Sequence, residues 1–354
     1  MLIYDLFPYI LLWILIVSFS IIKPKGNISF VVLGVILILF SGLRYGVGWD
    51  YFNYVNTVEF GGWRIDRLEY ISRQIAFLAQ KFHNPQLYFI INSFLTILFY
   101  FLAIKKVSVA NNISFLFFFC IPIFFLTSLV TVRFSLSVAF LFYAFTCLPK
   151  RWYIYITSIF IAALMHRAAF FSILIIPFLY GFRISFKGNI VIFTICVVIG
   201  TTFSTFSLNY LTSIIDLFSS SNEFFEGVQG YLINTEGKGF SKSPLMYAVI
   251  NICNFFLYRR GCTSKSDELY MTLYNIGCSL IFLFSFEPTF ASRIGQYFMI
   301  YIILLAPSYR SNKLLQIIVY MVIFFSFFYQ LCITGYHPDF IDRRNCFLPY
   351  QLCF

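Results

Sequence analysis

Read along its length, the chain repeats one pattern: a long run of apolar positions, a short polar step, then another apolar run. The runs fall at 4 to 22, 28 to 43, 85 to 104, 113 to 131, 133 to 148, 152 to 165, 168 to 182, 189 to 208, 244 to 258, 267 to 286, 293 to 308 and 313 to 334. A helix of ~20 apolar residues crosses the ~30 Å hydrocarbon core of a bilayer. The pattern predicts an all-α, polytopic integral membrane protein with about twelve transmembrane helices. Pro122, Pro177, Pro244 and Pro307 mark several runs, and each removes a backbone donor there. One stretch differs. From Arg67 to Lys81, the apolar Leu68, Ile71, Ile75, Phe77 and Leu78 alternate with Arg67, Arg73, Gln74 and Lys81, which predicts an amphipathic helix lying on the membrane surface.

Composition agrees, and charge adds an orientation. The 354 residues are 60% hydrophobic, 22% aromatic and 11% charged, well outside the range of a soluble globular domain. Lys23, Lys25, Lys105, Lys106, Lys150, Arg151, Arg183, Lys187, Arg259, Arg260, Lys265, Arg310 and Lys313 fall in alternate connections, which the positive-inside rule makes cytoplasmic. These connections hold the whole net charge of +11, because basic and acidic residues balance on the other side. The basic excess is therefore a topology signal, and nucleic acid is not expected as a partner. Both termini face outward. The first apolar run lacks a basic n-region and a small-residue cleavage site, so it reads as a retained helix. The expected home is the inner (plasma) membrane of a bacterium. Residues 1–354 read as a single polytopic membrane domain with outward loops at about 44–84 and 209–243 and a short outward tail at 335–354. The second loop suits either a lid over a cavity or a solvated connection. Most cysteines lie within apolar runs as small hydrophobes. No pair has metal-ligand spacing, and Cys332, Cys346 and Cys353 near the outer face leave a disulfide open.

The candidate chemistry gathers on the outward side. There arginine outnumbers lysine nine to three, whereas lysine leads eight to five on the inner side. Arg44, Arg133, Arg167 and Arg293 each sit at or just inside an outer helix end, where a charge costs up to about 2.5–3.5 kcal/mol at full depth. A guanidinium keeps its charge when desolvated and presents a planar fork that matches phosphate oxygens, so an outward pocket lined by these arginines suits a phosphate or pyrophosphate. Each arginine taken alone could instead snorkel to headgroups. The segment Arg44-Tyr45-Gly46-Val47-Gly48-Trp49-Asp50-Tyr51-Phe52-Asn53-Tyr54 adds Tyr45, Trp49, Tyr51 and Tyr54 as aromatic faces for a sugar, or as part of an interfacial aromatic belt. Asp50, with Glu69 behind it, is the candidate general base, and Glu287 is a rival carboxylate. His166, next to Arg167, is a further catalytic candidate. There is no acid pair for a sugar-nucleotide metal, no zinc motif and no P-loop; no metal and no cofactor are expected, and an enzyme of this composition would take a substrate that arrives already activated.

The arginine-led segment resembles the Arg-Tyr-x-Val-Gly-x-Asp-Tyr-x-x-Tyr stretch of the EpsG family, a branch of the Wzy-type polysaccharide polymerases. Glu69-Tyr70, Val132-Arg133 with Ser137 to Ala139, Ala163 to Ala169 around His166-Arg167, Arg293 to Tyr297-Phe298 and the tail Leu348-Pro349-Tyr350 resemble it too. Phe134 stands where glutamine is common, and Ala168 where serine is. The resemblance implies a polymerase architecture similar to the GT-C glycosyltransferases. It also implies an O-antigen or exopolysaccharide polymerase that moves a growing glycan from undecaprenyl pyrophosphate onto a lipid-linked repeat unit at the periplasmic face. Its implied partners are the undecaprenyl-pyrophosphate-linked oligosaccharide, membrane lipids and a chain-length regulator protein. Within it, Arg44, Arg133, Arg293 and Arg167 would bind pyrophosphate, Asp50, Glu69 and His166 would serve catalysis, and Tyr45, Trp49, Tyr51 and Tyr54 would contact sugar. A lipid-linked oligosaccharide flippase or an O-antigen ligase is the alternative. A flippase calls for polar residues at mid-membrane and an internal repeat, whereas here the charges collect at helix ends.

Overall fold

The structure is a computed structural model that describes residues 2–22, 28–147, 152–206, 244–261, 263–285, 287–333 and 346–353. The outward segment 209–243 and most of the predicted outward tail lie outside the described residues. Within them the chain is helical almost throughout, and the strands are two short pieces, β1 (Arg44–Tyr45) and β2 (Gln351–Leu352). Two helices, Gln86–Val107 and Lys313–Cys332, are long and apolar enough to cross a membrane, or up to three if the broken pair Pro288–Met299 and Ile302–Ser311 counts as one span; seven shorter apolar helices accompany them. The architecture is that of an all-α membrane protein.

The chain divides into two compact units, residues 1–181 with 302–354 and residues 182–301. In the first, α1 (Leu2–Ile22), α2 (Ile28–Gly42), α6 (Gln86–Val107) and α9 (Val132–Cys147) are the long apolar helices of the N-terminal half. The outward segment after α2 folds into α3 (Tyr51–Phe60), α4 (Trp63–Asp66) and α5 (Tyr70–Lys81). These helices are packed and buried against α6 and α9, through Tyr51, Tyr54, Ile75, Ala76, Tyr88, Phe89 and Leu136. The predicted amphipathic helix is thus present as α5. It starts at Tyr70 because Glu69 adopts an extended conformation just before it. Ile75, Ala76 and Ala79 face the core, while Phe77 and Leu78 stay exposed.

Within the first unit one predicted span breaks and another changes helix type along its length. The run 113–131 divides into α7 (Asn111–Cys120) and α8 (Phe125–Val130). Proline explains this: the residue before a proline is pushed from the helical region, and Ile121, ahead of Pro122, is extended with φ −81° and ψ 112°. At ~1.5 Å per residue, α7 reaches about half-way through a hydrocarbon core. The run 168–182 becomes a 3-10 helix at Arg167–Ile175 followed by α11 (Ile176–Leu179), after α10 (Trp152–Ala163).

The second unit packs α12 (Phe186–Phe206), α13 (Pro244–Arg259), α14 (Lys265–Leu283) and α15 (Pro288–Met299). Gly277 and Gly295 let α14 and α15 approach closely, since a Cβ on Gly277 would lie 2.8 Å from the Gly295 carbonyl oxygen; small residues at such crossings are how membrane helices gain contact. Buried amides tie the unit's interior together. Asn275 donates to Asn189 Oδ1 at 3.0 Å and accepts from Asn251 at 2.7 Å, and Asn189 donates to the Thr272 hydroxyl at 3.2 Å. After it, the first unit resumes with α16 (Ile302–Leu305), a 3-10 turn Ala306–Ser311 holding Pro307, and α17 (Lys313–Ile333). The predicted run 293–308 is therefore not one continuous helix.

Candidate functional site

Arg44 follows the end of α2 by one residue, Leu43, and is fully buried. Its guanidinium donates to the carbonyl oxygens of Ser41, Val47 (3.2 Å, from Nε) and Leu129 (3.1 Å). Ser41 and Leu129 lie in the last turns of α2 and α8, whose final carbonyls have no helical partner and carry the negative end of the helix dipole. Two helix ends thus converge on one cation, and the Phe89 ring lies 4.9 Å from its central carbon. Burial pulls the Arg44 pKa down to about 10, so the group remains protonated at neutral pH. The expectation that Arg44 grips pyrophosphate meets a side chain with no exposed surface. Its donors go to backbone oxygens, and Arg44 acts as the clamp that shapes the segment after it.

Gly48 explains the glycine in that segment. Its φ is +99°, and a Cβ there would collide with the Leu129 carbonyl oxygen, the same atom that accepts from Arg44. The chain's other end closes the motif. β1 pairs antiparallel with β2, Gly48 N–H donates to Cys346 O at 2.8 Å, and Cys353 N–H donates to Leu43 O at 3.0 Å. The Tyr350 ring stacks on Phe40 at 4.0 Å and its hydroxyl donates to the Phe40 carbonyl at 2.7 Å. Cys346 is a buried free thiol, with burial pushing its pKa up to about 12. Gln86 supplies a further tie: its Nε2 donates to Gly42 O (2.5 Å) and Arg44 O (3.0 Å), and its Oε1 accepts from the Tyr51 hydroxyl at 2.9 Å. Sequence reasoning missed Gln86, whose one signal was a polar residue at the start of an apolar span; it noted the Pro-Tyr tail and Cys346, but not that they close on this motif. Each hydrogen bond contributes roughly 0.5–1.5 kcal/mol, so Gln86→Leu is expected to lower the unfolding free energy of the purified chain by about 1–3 kcal/mol, and an unchanged thermal midpoint would show that these bonds contribute nothing.

A second cluster lies one turn further along the same buried face of α3, at Tyr54. Arg133, near the start of α9, forms an ion pair with Glu69 and donates from Nε to the Tyr54 hydroxyl at 3.3 Å. Glu69 also accepts, on Oε1, from the backbone N–H of Arg167 at 3.4 Å. The turn carrying Arg167 is fixed by Ile71 N–H donating to Leu164 O (2.8 Å) and the Ser72 hydroxyl donating to Met165 O (3.1 Å). His166 caps the 3-10 helix, its Nδ1 accepting from Ala168 N–H at 3.2 Å, and its ring packs edge-on to Phe134 at 5.3 Å. Four candidates far apart in sequence, Tyr54, Glu69, Arg133 and His166-Arg167, are thereby brought together. The pair is also well shielded: the side chains of Arg133 and Glu69 are 23% and 11% exposed, against 35% and 69% for the ion pair between Arg73 and Asp66.

The remaining candidates divide by exposure. Tyr51 and Tyr54 are buried, Tyr51 stacked on Phe89 at 4.5 Å and Tyr54 on Tyr88 at 5.2 Å; neither offers a face to sugar. Burial raises the Tyr54 pKa against the lowering pull of Arg133, and Asp50 adds a smaller upward push. Asp50 is thus within electrostatic range of the cluster. Tyr45 and Trp49 are exposed, at 46% and 40%, with Tyr45 packed edge-on against Tyr51 at 5.8 Å and Phe52 at 6.2 Å. The Arg167 side chain is exposed as well. Arg293 belongs to the second unit, on α15, partly buried with its Nε lacking a hydrogen-bond partner; Glu287 caps that helix by accepting from Thr289 N–H at 3.3 Å and from Phe290 N–H. Among the described residues no three His, Cys, Asp or Glu side chains gather as a metal site needs. What the first unit presents is a partly open guanidinium, a carboxylate poised against it, and two exposed aromatic rings on the adjoining motif.

The EpsG family model matches residues 27–352, nearly the whole length, and the EpsG family is a Wzy-like polymerase family. The chain belongs to that family. No curated protein and no solved structure matches it.

Proposed function

We propose that this EpsG-family chain is a metal-independent glycosyltransferase that polymerises polysaccharide of the O-antigen or exopolysaccharide type. It transfers a growing glycan from undecaprenyl pyrophosphate to the sugar of a lipid-linked repeat unit, at the periplasmic face of a bacterial inner membrane. The observation that carries the reading is the shielded Arg133–Glu69 pair beside the exposed Arg167. A hydroxyl of the acceptor sugar attacks the anomeric carbon of the donor; the new C–O bond forms as the bond to pyrophosphate breaks, and the electron pair leaves on the pyrophosphate oxygen. Arg133 and Arg167 take up that developing charge, which a planar fork of donors does well in a water-poor site. As Arg133 turns to phosphate, Glu69 loses its counter-charge and accepts the acceptor's proton; Asp50 is the second candidate for that step. Tyr45 and Trp49 give flat faces to the sugars. Arg44 contributes by holding the motif, not by touching substrate. A chain-length regulator protein is the expected partner.

The test is a glycan ladder in cells that make a matching lipid-linked repeat but lack their own polymerase. A ladder of increasing repeat number on expression of this chain supports polymerisation. Single-repeat product alone, with the protein and the periplasmic repeat both present, rejects it and turns attention to ligase and flippase assays.

A further inference from the structure

A cavity of about 640 Å³ opens between α1, α7 and α17, a volume typical of ligand pockets. It lies away from Arg44. Tyr9 of α1 donates to the Phe347 carbonyl beside the motif, whereas Trp13 and Ser20, farther along α1, line the cavity; Ser20 is ~16 Å from Tyr9 along the helix axis. Trp13 packs on Phe324 at 4.9 Å, and the Ser20 hydroxyl donates to Asn112 O at 3.1 Å. Val17, Ile113, Leu116, Met321, Ile323 and Phe324 give an apolar lining alongside the ~10 Å rise from Trp13 to Ser20. The polar lining includes Gln316, whose Nε2 donates to the Tyr320 hydroxyl at 3.1 Å, and the cations Arg310 and Lys313. Both cations are exposed, no acidic residue lines the cavity, and neither cation has an ion pair or hydrogen bond among the described residues.

We propose that this cavity is a binding site for one anionic phospholipid of the inner leaflet, its phosphate held by Arg310 and Lys313 and an acyl chain lying along Trp13 and Phe324. A soluble phosphate has no use for an apolar slot, and a zwitterionic lipid gains little from two unpaired cations. Basic pockets between membrane helices on the cytoplasmic side recognise such headgroups, and Arg310 and Lys313 fall on that side by the positive-inside distribution. The polyprenyl carrier is a poorer fit, because its pyrophosphate is required at the opposite end of α1. Two cations near an anionic headgroup give about a 30-fold preference over a zwitterionic one.

The test is native mass spectrometry of the full purified chain with equimolar phosphatidylglycerol, phosphatidylethanolamine and polyprenyl phosphate in mixed micelles. One retained phosphatidylglycerol, favoured about 30-fold over phosphatidylethanolamine, is expected. Arg310→Gln with Lys313→Gln should bring the two phospholipids level, without disturbing packing because both side chains are exposed. Val17→Phe, which fills the slot and keeps both charges, should lose the adduct as well. Equal retention of both phospholipids by the unaltered chain, an adduct that survives the double substitution, or preferential retention of polyprenyl phosphate would each overturn the site.

Discussion

Arg133→Lys is expected to reduce polymer by at least about 100-fold, the loss that follows removal of one preorganised donor from a charge-stabilising site, while the protein accumulates normally. Lysine keeps the positive charge and so keeps an attraction to Glu69, which protects folding; it loses the planar fork that would hold two phosphate oxygens and the Nε donor to Tyr54. The companion substitution separates roles. Glu69→Gln preserves an acceptor for the Arg167 N–H but cannot take a proton, and a general base contributes roughly 10²–10⁴-fold. If Glu69 is the base, Glu69→Gln loses polymer and Asp50→Asn retains most of it. The reverse result would move the base to Asp50. Full-length polymer from Arg133→Lys, at matched protein level, would remove Arg133 from the substrate site.

The pairing behind this prediction shows where reading a sequence stops. Arg133 and Glu69 are both recognisable as outward candidates, one at a helix start and one ahead of an amphipathic helix. That they form a pair depends on α5 packing its Ser72–Ile75–Ala76 face against the α6 and α9 side of the unit, which no local spacing encodes. Long apolar helices are legible because hydropathy is a local sum. Their interruptions are less so: the break after Cys120 follows from Pro122 holding Ile121 out of the helical region, yet the run remains apolar across it. The runs 113–131 and 293–308 are therefore less continuous than their hydropathy suggests, and 168–182 changes helix type.

Arg44 shows a second limit. An arginine among aromatics at a membrane exit reads as a ligand site, since the groups that could absorb its charge within the protein are backbone carbonyls and any residue supplies those. Ser41 O, Val47 O and Leu129 O are invisible as partners until the ends of α2 and α8 are seen to meet. The aromatic residues divide on the same principle. Tyr51 and Tyr54 alternate with Trp49 and Phe52 along one short stretch, and only the fold decides which rings stack on Tyr88 and Phe89 and which keep exposed surface.

The second large effect is expected at Gly48 and concerns folding. Alanine at a φ of +99° is strained, and its Cβ would collide with the Leu129 carbonyl. Such backbone strain costs of order 1–3 kcal/mol. Relief requires moving the carbonyl, which is a hydrogen-bond acceptor for Arg44; a bond to a charged group contributes about 1.5–3 kcal/mol, and the cation it would leave behind is fully buried. Together Gly48→Ala should destabilise by about 3–5 kcal/mol, much of the margin of an ordinary domain. Gly46→Ala is the internal control. Its φ is +66°, in a region that non-glycine residues visit at a modest cost of ~1 kcal/mol, and its Cβ would meet only the Phe52 ring at 3.6 Å, an ordinary contact. Thermal unfolding of the two purified variants should therefore differ widely, with Gly48→Ala reaching the membrane in reduced amount. Equal midpoints would mean that the motif does not dock on Leu129. In that event Arg44 would be released from its clamp, and its assignment would return to the substrate.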